Sequence, residues 1–387
     1  MKLLIISLSV FFTLHSQASD IKIGLFHANK TESVVVSIIE GSYQITGNES
    51  IIGQFKSNSI FQVELSGSCL YLSDAGNSFG PFDRISFMPL SDKGVFSVRP
   101  VFPPAHSKET ENRLDITVDN TFLKIINTIS LENYLPGVVE AEGGSNAQLE
   151  YYKAQAILAR TFAVRNYLRH AHEGYNICDD VHCQAFNGKS YFNKKIHEAV
   201  KSTDHLILTD LNNQSVMTAY HSSCGGMTAS ASLEWNRDLD YLVPVKDPFC
   251  NNSKNKNWTK SISKKDWSDY LARKGYEENK VIYSKNDVRK KFLDTEGSQI
   301  ALNSIRWDFR LKSSWFYIED HGSEVVFHGH GYGHGLGMCQ EGAMEMARVG
   351  YTYLDILMFY FRSLKVTSLP APSSGGNGHP EISGLKD

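Results

Sequence analysis

Short alternations of apolar and polar residues dominate the first hundred positions and predict a β-rich region at 19–105. The runs IKIGLF, SVVVSII, SYQI and SIFQVEL have the two-residue period of a strand, and Gly, Asn and Ser clusters separate them. None of these runs contains a motif with catalytic chemistry. We therefore expect the region to serve as a scaffold or as a binding surface.

The alternation resumes after a polar, proline-containing connector at 102–112. In LDITVDNTFLKIINTISLENYL it predicts a hairpin that turns at Asp119–Asn120. The strand pattern then stops at Pro136–Gly137, and an acidic turn follows.

A helical period begins near Ser145–Asn146, which can supply the N-cap. Lys153 and Arg160 lie two turns apart on a stripe beside the predicted inner face. They form either a solvated edge of the helix or a pair of cations that line a site. The inner face itself is predicted from apolar or small residues at helical spacing, namely Leu149, Tyr152, Ala156, Ala159, Ala163 and Tyr167.

The remaining pattern divides the chain further. Short strands return after residue 190, charged residues dominate 251–310, and two helices are predicted at Gln340–Val349 and Tyr353–Phe361. We predict an α+β fold, with a mixed β-rich scaffold, a long central helix and C-terminal helices around one cleft. The predicted parts are a β-rich region at 19–105, a core at 113–250, a second lobe or insertion at 251–310, the C-terminal part of the core at 311–369, and a disordered Gly/Pro/Ser-rich tail at 370–387.

The N-terminal residues 1–18 have the pattern of a cleavable signal peptide, with one Lys, an apolar run from Leu3 to Leu14 and small residues before the cleavage site. The run is shorter than the ~20 residues that a membrane span needs. We expect an exported protein of the periplasm or the envelope exterior, without a transmembrane segment. The net charge of −3 and the lack of a Lys/Arg block argue against a nucleic-acid partner.

Six cysteines and a group of histidines suggest disulfide bonds and a metal site. His172, Cys178, His182 and Cys183 supply the ligand types of a tetrahedral structural zinc site, although their spacing is not that of a zinc finger. A Cys178–Cys183 disulfide is the alternative. A second disulfide is predicted between Cys224 and Cys250, and a Cys69–Cys339 bridge stays open.

Two glycine-rich stretches contain further candidate residues. The Gly225–Gly226 pair predicts a tight turn that exposes Ser222 and Ser223. The stretch FHGHGYGHGLGM places His328, His330 and His334 in an H-x-H-x3-H pattern, which fits either a metal site or histidines that line a wall. No Lys-Ser/Thr pair follows, so a phosphate-binding loop is not predicted.

Several ordered motifs together resemble the stage II sporulation protein D (SpoIID) family, whose relatives include the amidase-enhancer proteins. The resemblance covers roughly residues 120–367. The motifs are YLPGVVEAE, KAQAILARTFA, CDDVHCQAFNG, SSCGGMTASASLEW and GHGYGHGLGMCQEGA.

The resemblance implies a lytic transglycosylase that cleaves peptidoglycan glycan strands already stripped of their peptides by an N-acetylmuramoyl-L-alanine amidase. It places the catalytic acid at Glu142, with Glu140 as the fallback. It also implies a zinc site at His172, Cys178, His182 and Cys183, with a structural role because four protein ligands leave no open position. Residues expected to hold the glycan are Lys153, Arg160, Ser222, Ser223, His330 and His334.

This chain departs from the family pattern at two places. Gly143–Gly144 stands where Met-Pro is common, and Cys339–Gln340 stands where Ser-Gln is usual. Two other functions stay open. One is a module that binds peptidoglycan and activates an amidase without catalysis, and the other is a zinc hydrolase that uses the histidines at 328–334.

Overall fold

The computed structural model describes residues 20–285, 287–297 and 299–369. The predicted signal peptide at 1–18 and the predicted tail at 370–387 lie outside these residues. The strands are β1 (Asp20–Leu25), β2 (Ser33–Glu40), β3 (Ser42–Gly47), β4 (Ser50–Lys56), β5 (Ile60–Ser66), β6 (Cys69–Ser73), β7 (Ser78–Phe82), β8 (Arg84–Pro89), β9 (Val95–Phe102), β10 (Lys108–Glu111), β11 (Arg113–Asp119), β12 (Phe122–Ser130), β13 (Ile177–Cys178), β14 (Leu206–Thr209), β15 (Tyr220–His221), β16 (Asn257–Ser263), β17 (Phe316–Asp320), β18 (Glu324–His330), β19 (Met338–Cys339) and β20 (Lys365–Ser368).

Helices alternate with these strands only after residue 130, so the fold is α+β, as predicted. The helices are α1 (Leu131–Gly143), α2 (Leu149–Arg165), α3 (Lys194–Ser202), α4 (Ala231–Glu234), α5 (Lys264–Arg273), α6 (Leu302–Asp308), α7 (Gln340–Arg348) and α8 (Tyr353–Tyr360). The two predicted C-terminal helices correspond to α7 and α8 within one residue at each end.

Two sheets pack face to face in the N-terminal region. The first has the strand order β13-β1-β12-β11-β8-β3-β4, and the second has the order β10-β9-β2-β5-β6-β7. Their alternating apolar residues meet in one core, where the rings of Phe61 and Phe87 lie 5.8 Å apart. The two-residue alternation of apolar and polar residues in the sequence therefore corresponds to the buried and exposed faces of these strands.

The predicted hairpin is formed by β11 and β12, which pair from Arg113↔Thr128 to Asp119↔Phe122. The chain continues directly from β12 into α1, where the side chain of Ser130 caps the helix by accepting from the Asn133 N–H. The acidic turn expected after Pro136–Gly137 is therefore helical. Gly137 permits a close approach, because a Cβ there would clash with the carbonyl oxygen of Gly188.

The central helix α2 begins at Leu149, with Gln148 rather than Ser145 or Asn146 at the N-cap. Tyr151, Ile157 and Leu158 are buried on faces that the predicted inner stripe did not include. The helix contacts α1, α3, α7, α8 and β14, so it is enclosed on nearly all sides. A helix that is buried all round belongs to the centre of a core.

A second hydrophobic core lies between the three-stranded sheet β16-β18-β17 and the helices α5 and α6. Trp258, Trp267, Ile305 and Phe327 belong to it. This lobe thus extends to the end of β18, beyond the boundary at residue 310 that the charge pattern suggested. In the described residues, no helix is long and apolar enough to cross a membrane.

Candidate functional site

Glu142 lies on the last turn of α1, where the chain leaves the helix through Gly143 and Gly144. The side chain is half-buried, and its Oε1 accepts a hydrogen bond of 2.6 Å from the Ala185 N–H. Gly144 has φ of 69°, which favours glycine. The helix end and the segment around Ala185 therefore fix this carboxyl group from two sides.

Burial raises the pKa of Glu142 above its ordinary value of 4.5, and the hydrogen bond from Ala185 opposes part of that increase. In the described part of the chain, Glu142 forms no ion pair. A half-buried carboxyl group without a cation favours the protonated form, which is the form that a general acid requires.

Two glutamines connect the helix end to the C-terminal part of the chain. The Gln340 side chain donates from Nε2 to the carbonyl oxygen of Glu142 at 3.0 Å, and the same atom lies 3.5 Å from Gln155 Oε1. Gln155 is fully buried on α2 and also accepts from the Tyr151 hydroxyl. The sequence motifs did not predict a site role for either glutamine. The signal for Gln155 was a polar residue inside the small, apolar run KAQAIL.

A second network of hydrogen bonds lies beside Glu142. Gln184 Nε2 donates to the Tyr134 hydroxyl at 3.3 Å, and the Tyr220 hydroxyl donates to Gln184 Oε1 at 3.2 Å. Burial raises the pKa values of both tyrosines, and a carboxylate at Glu142 adds to that increase, which places both rings near the carboxyl group. Both tyrosines are therefore neutral hydrogen-bonding groups.

Four potential metal ligands come together where β13 meets the edge of the first sheet. They are His170, Cys178, His182 and Cys183, and one ligand atom from each lies within 4.8 Å of the others. The structure does not bring His172 into this group, because its side chain is 77% exposed on the next short turn. The predicted ligand set is therefore corrected at one position, with His170 in place of His172.

The chemistry of this donor set fits a zinc ion. Two thiols and two imidazoles are a usual tetrahedral set, and Cys183 Sγ lies 3.4 Å from His170 Nε2. The other ring nitrogen of His170 contacts Glu173 at 2.5 Å, and Glu173 also accepts from the Tyr175 hydroxyl. A carboxylate behind a ligating histidine is the arrangement that orients such ligands.

Comparison with known proteins identifies the domain that contains these groups. Residues 119–209 match the model of the SpoIID family, which is described as stage II sporulation protein. A stage II sporulation protein D of Bacillus subtilis is 29% identical over 306 residues, which cover 73% of this chain and 87% of that protein. Residues 119–209 of this chain therefore form a SpoIID domain.

Two further relatives agree with this assignment. This chain is 28% identical over 282 residues to a stage II sporulation protein D of Bacillus amyloliquefaciens, covering 66% of this chain and 80% of that protein. It is 25% identical over 294 residues to a Bacillus subtilis protein named amidase enhancer, covering 60% of this chain and 40% of that protein. The matched domain holds both Glu142 and the His/Cys group.

Arg160 has no exposed surface and does not reach the cleft as predicted. Its Nε and Nη2 atoms donate to the two carboxylate oxygens of Glu132, each at 2.7 Å, and Nη1 donates to the carbonyl oxygen of Leu206 at 3.0 Å. Arg160 therefore joins the start of α1 to β14. The prediction was wrong because the position of Arg160 along α2 does not reveal its partners Glu132 and Leu206 in the folded chain.

Lys153 lies on the same helix but has another environment. Its ammonium group donates to Glu150 at 2.7 Å and lies 5.7 Å from the ring centre of Tyr353. Glu150 in turn accepts from the Tyr353 N–H. Among the described residues, no contact joins Lys153 to Glu142, so its predicted contact with the glycan stays a prediction.

Ser222 and Ser223 lie on the turn predicted from Gly225–Gly226, but only Ser222 retains exposure. Ser222 donates to Glu341, whereas Ser223 is 1% exposed and contacts Ser253 Oγ at 2.9 Å. Ser223 therefore supports the turn from within and is not presented to a ligand as predicted.

The three histidines of the glycine-rich stretch do not converge. His328 faces Glu319, and His330 contacts Asp287 through Nε2 at 2.8 Å. His334 packs against His221, and burial lowers its pKa to about 4. In the described residues these histidines form no metal-binding group. The zinc-hydrolase alternative at 328–334 therefore has no structural support, whereas binding of a glycan by His330 and His334 stays a prediction.

Proposed function

We propose that this SpoIID protein is a lytic transglycosylase that cleaves the bond between N-acetylmuramic acid and N-acetylglucosamine in peptidoglycan. The observation that carries the proposal is the state of Glu142. It is half-buried and free of an ion pair among the described residues. Burial raises its pKa above the ordinary value, although the hydrogen bond from Ala185 opposes part of that increase.

Such a carboxyl group can perform both proton transfers of the reaction. Protonated Glu142 donates its proton to the glycosidic oxygen as the bond to C1 breaks. The resulting carboxylate then takes the proton of the sugar's own 6-hydroxyl as that oxygen bonds to C1. The product is a 1,6-anhydro end, no water is consumed, and Glu142 returns to its starting form.

This route needs only one carboxyl group, which agrees with the surroundings of Glu142. A hydrolase of this bond generally requires a second carboxylate as base or nucleophile. Among the described residues, no second carboxylate contacts Glu142. The neighbouring polar groups are neutral, namely Tyr134, Tyr220 and Gln340.

We propose that the substrate is glycan whose stem peptides an amidase has already removed. The similarity to a protein named amidase enhancer supports a coupling between the two activities. The lytic transglycosylase would then act after the amidase, on glycan strands from which the amidase has removed the stem peptides.

The test is digestion of purified peptidoglycan, with and without amidase pretreatment, by wild type, Glu142→Gln and the matched control Glu140→Gln. We expect anhydro-ended fragments, identified by mass spectrometry, from pretreated material with wild type and with Glu140→Gln only. Products that contain an added water would show a hydrolase and contradict the proposed mechanism.

We also propose that the His/Cys group binds a structural zinc ion. Cys183 lies two residues before Ala185, so the ion would fix the segment that donates to Glu142. Metal content distinguishes the two candidate histidines, because His170→Ala should lose the zinc and His172→Ala should keep it. A zinc-free wild type with a Cys178–Cys183 disulfide would overturn this assignment.

A second candidate function is activation of an amidase without catalysis, which the 25% identity to the amidase enhancer favours. It predicts that Glu142→Gln stimulates a purified amidase as well as wild type does, and that neither protein releases anhydro ends. The digestion above and this stimulation assay together separate the two candidates.

A further inference from the structure

Three cysteines and an aspartate meet in the core, and one of them, Cys339, directly precedes Gln340. Cys224, Cys250, Cys339 and Asp247 are each 0% exposed, and one ligand atom from each lies within 4.8 Å of the others. The three cysteines are free thiols, including the Cys224–Cys250 pair that the sequence predicted as a disulfide.

The spacing of these atoms fits a single tetrahedral ion. With Zn–S bonds of about 2.3 Å and Zn–O bonds of about 2.1 Å, a sulfur ligand and an oxygen ligand in a tetrahedral site are about 3.6 Å apart. Here Cys224 Sγ lies 3.2 Å from Asp247 Oδ2, and Asp247 and Cys250 bracket one short turn as Asp-Pro-Phe-Cys. That is the two-residue spacing of a zinc knuckle, with a carboxylate in place of one thiol.

Backbone N–H groups point at two of the sulfurs. Cys224 Sγ accepts from the Gly226 N–H at 3.3 Å. Cys339 Sγ accepts from the N–H groups of Cys224 and Gly342, at 3.2 and 3.4 Å. The hydroxyl of Ser223 lies 3.2 Å from Cys250 Sγ. Donors of this kind stabilise thiolates, which are the form that binds a metal.

The environment of Asp247 also indicates a cation. Its Oδ1 accepts from the N–H groups of Phe249 and Cys250, whereas Oδ2 accepts from the Tyr360 hydroxyl at 2.8 Å and faces the thiols. Among the described residues, this fully buried carboxylate forms no ion pair. An unpaired buried carboxylate is costly, and a bound cation removes that cost.

We propose that Cys224, Asp247, Cys250 and Cys339 form a second zinc site with a structural role. Four protein ligands leave no open position for water, so the ion does not itself take part in a reaction. It joins the turn at 224–226, the turn at 247–250 and the start of α7. Since Gln340 follows Cys339 directly and donates to Glu142, the ion also fixes this support of the candidate acid.

The site explains two local features of the sequence. A Cβ at Gly342 would clash with Asp247 Oδ2 and with the Tyr360 hydroxyl, so glycine lets the carboxylate approach the helix start. Arg289 donates to the carbonyl oxygen of Cys224 at 2.9 Å and places a positive charge beside a site of three thiolates and a carboxylate. Neither feature depends on the activity proposed for Glu142.

The test is zinc content and zinc X-ray absorption of the full chain, purified in the presence of a reductant. With both sites filled, we expect two zinc ions per chain and a mean of about 2.5 sulfur ligands per ion, from two in one site and three in the other. Cys250→Ser should lose one ion and leave a spectrum of two sulfurs and two nitrogens. Cys69→Ser is the matched control and should resemble wild type, because Cys69 lies outside both groups.

The wild-type spectrum keeps the proposal testable even where Cys250→Ser fails to fold. Zinc bound by three sulfurs and one oxygen supports the site whether or not the first group is filled. A single ion bound by two sulfurs and two nitrogens overturns it, as does a chain without zinc. A Cys224–Cys250 disulfide in wild type purified without reductant, seen as the loss of two hydrogens by mass, also overturns it.

Discussion

Glu142 and Arg160 are two ionisable side chains on adjoining helices, and their surroundings in the fold are opposite. Arg160 is completely buried and meets both carboxylate oxygens of Glu132 at 2.7 Å. Glu142 is half-buried at a helix end and, in the described residues, has hydrogen bonds but no opposite charge. A buried charge with a complete set of partners holds the architecture together, whereas a carboxyl group without a counter-ion is available for proton transfer.

The largest expected effect is the loss of turnover in Glu142→Gln. The amide keeps the shape of the side chain but cannot donate and accept the proton, so we expect turnover to fall about 100- to 10,000-fold. The melting temperature should stay close to that of wild type. The rate of anhydro-end formation on amidase-treated glycan measures the effect, and a variant that retains wild-type turnover would move the acid elsewhere.

For Arg160 the expected loss is in stability. Arg160→Met leaves the Glu132 carboxylate without its partner, and we expect the free energy of unfolding to fall by about 3–5 kcal/mol. Denaturant unfolding measures it. The double variant Glu132→Gln/Arg160→Met should recover part of the loss because no charge is left unpaired. A single variant as stable as wild type would contradict the role given to this pair.

The pH dependence sharpens the same contrast. Because burial raises the pKa of Glu142 above 4.5, the acid stays protonated to a higher pH, and turnover should fall about tenfold per pH unit above that pKa. The free energy of unfolding should also decrease as the pH rises. The contribution of protonated Glu142 is full below the unfolded pKa and is lost as the pH rises through the folded one.

Two profiles check this prediction, namely kcat/KM against pH for wild type and the difference in unfolding free energy between wild type and Glu142→Gln. The stability difference should be lost in the window between the unfolded and the folded pKa, and the alkaline fall of kcat/KM should begin at the upper end of that window. A turnover that rises through this window would mean that the ionised form is the active one.

The smallest expected effect is that of Lys153→Met on stability. Its ion pair with Glu150 is partly solvated, so we expect the free energy of unfolding to change by less than about 1 kcal/mol. Turnover is the informative second readout. If Lys153→Met raises the KM and leaves the free energy of unfolding unchanged, Lys153 contacts the glycan. If the KM is unchanged, Lys153 only forms its surface ion pair with Glu150.

The sequence predicted those parts of the fold in which local pattern and tertiary environment agree. The alternation around Asp119–Asn120 predicted the hairpin because one face of each strand is buried. The helical period after Leu149 predicted α2, although it gave only one buried stripe. Motifs whose residues are close along the chain singled out Glu142 and three of the four residues of the His/Cys group.

The remainder depends on contacts between distant segments. Pro136–Gly137 resembled a turn, but α1 tolerates the proline, and the glycine allows the segment at Gly188 to approach. His170 and His172 are equivalent in sequence, and only the position of the short turn after α2 decides which one faces Cys183. The partners of Arg160 and of Cys250 lie 28 and 89 residues away in the chain, at Glu132 and Cys339.

The lobe with its own hydrophobic core enters and leaves the rest of the molecule at one place. Asn257 and His330 are direct partners in the antiparallel pair of β16 and β18. An insertion or deletion within the lobe can therefore be absorbed between two neighbouring backbone positions, without a change in the path of the chain around Glu142. Evolution and protein design can therefore vary the size and surface of this lobe between these two residues, provided that Arg289 keeps its hydrogen bond to the carbonyl oxygen of Cys224.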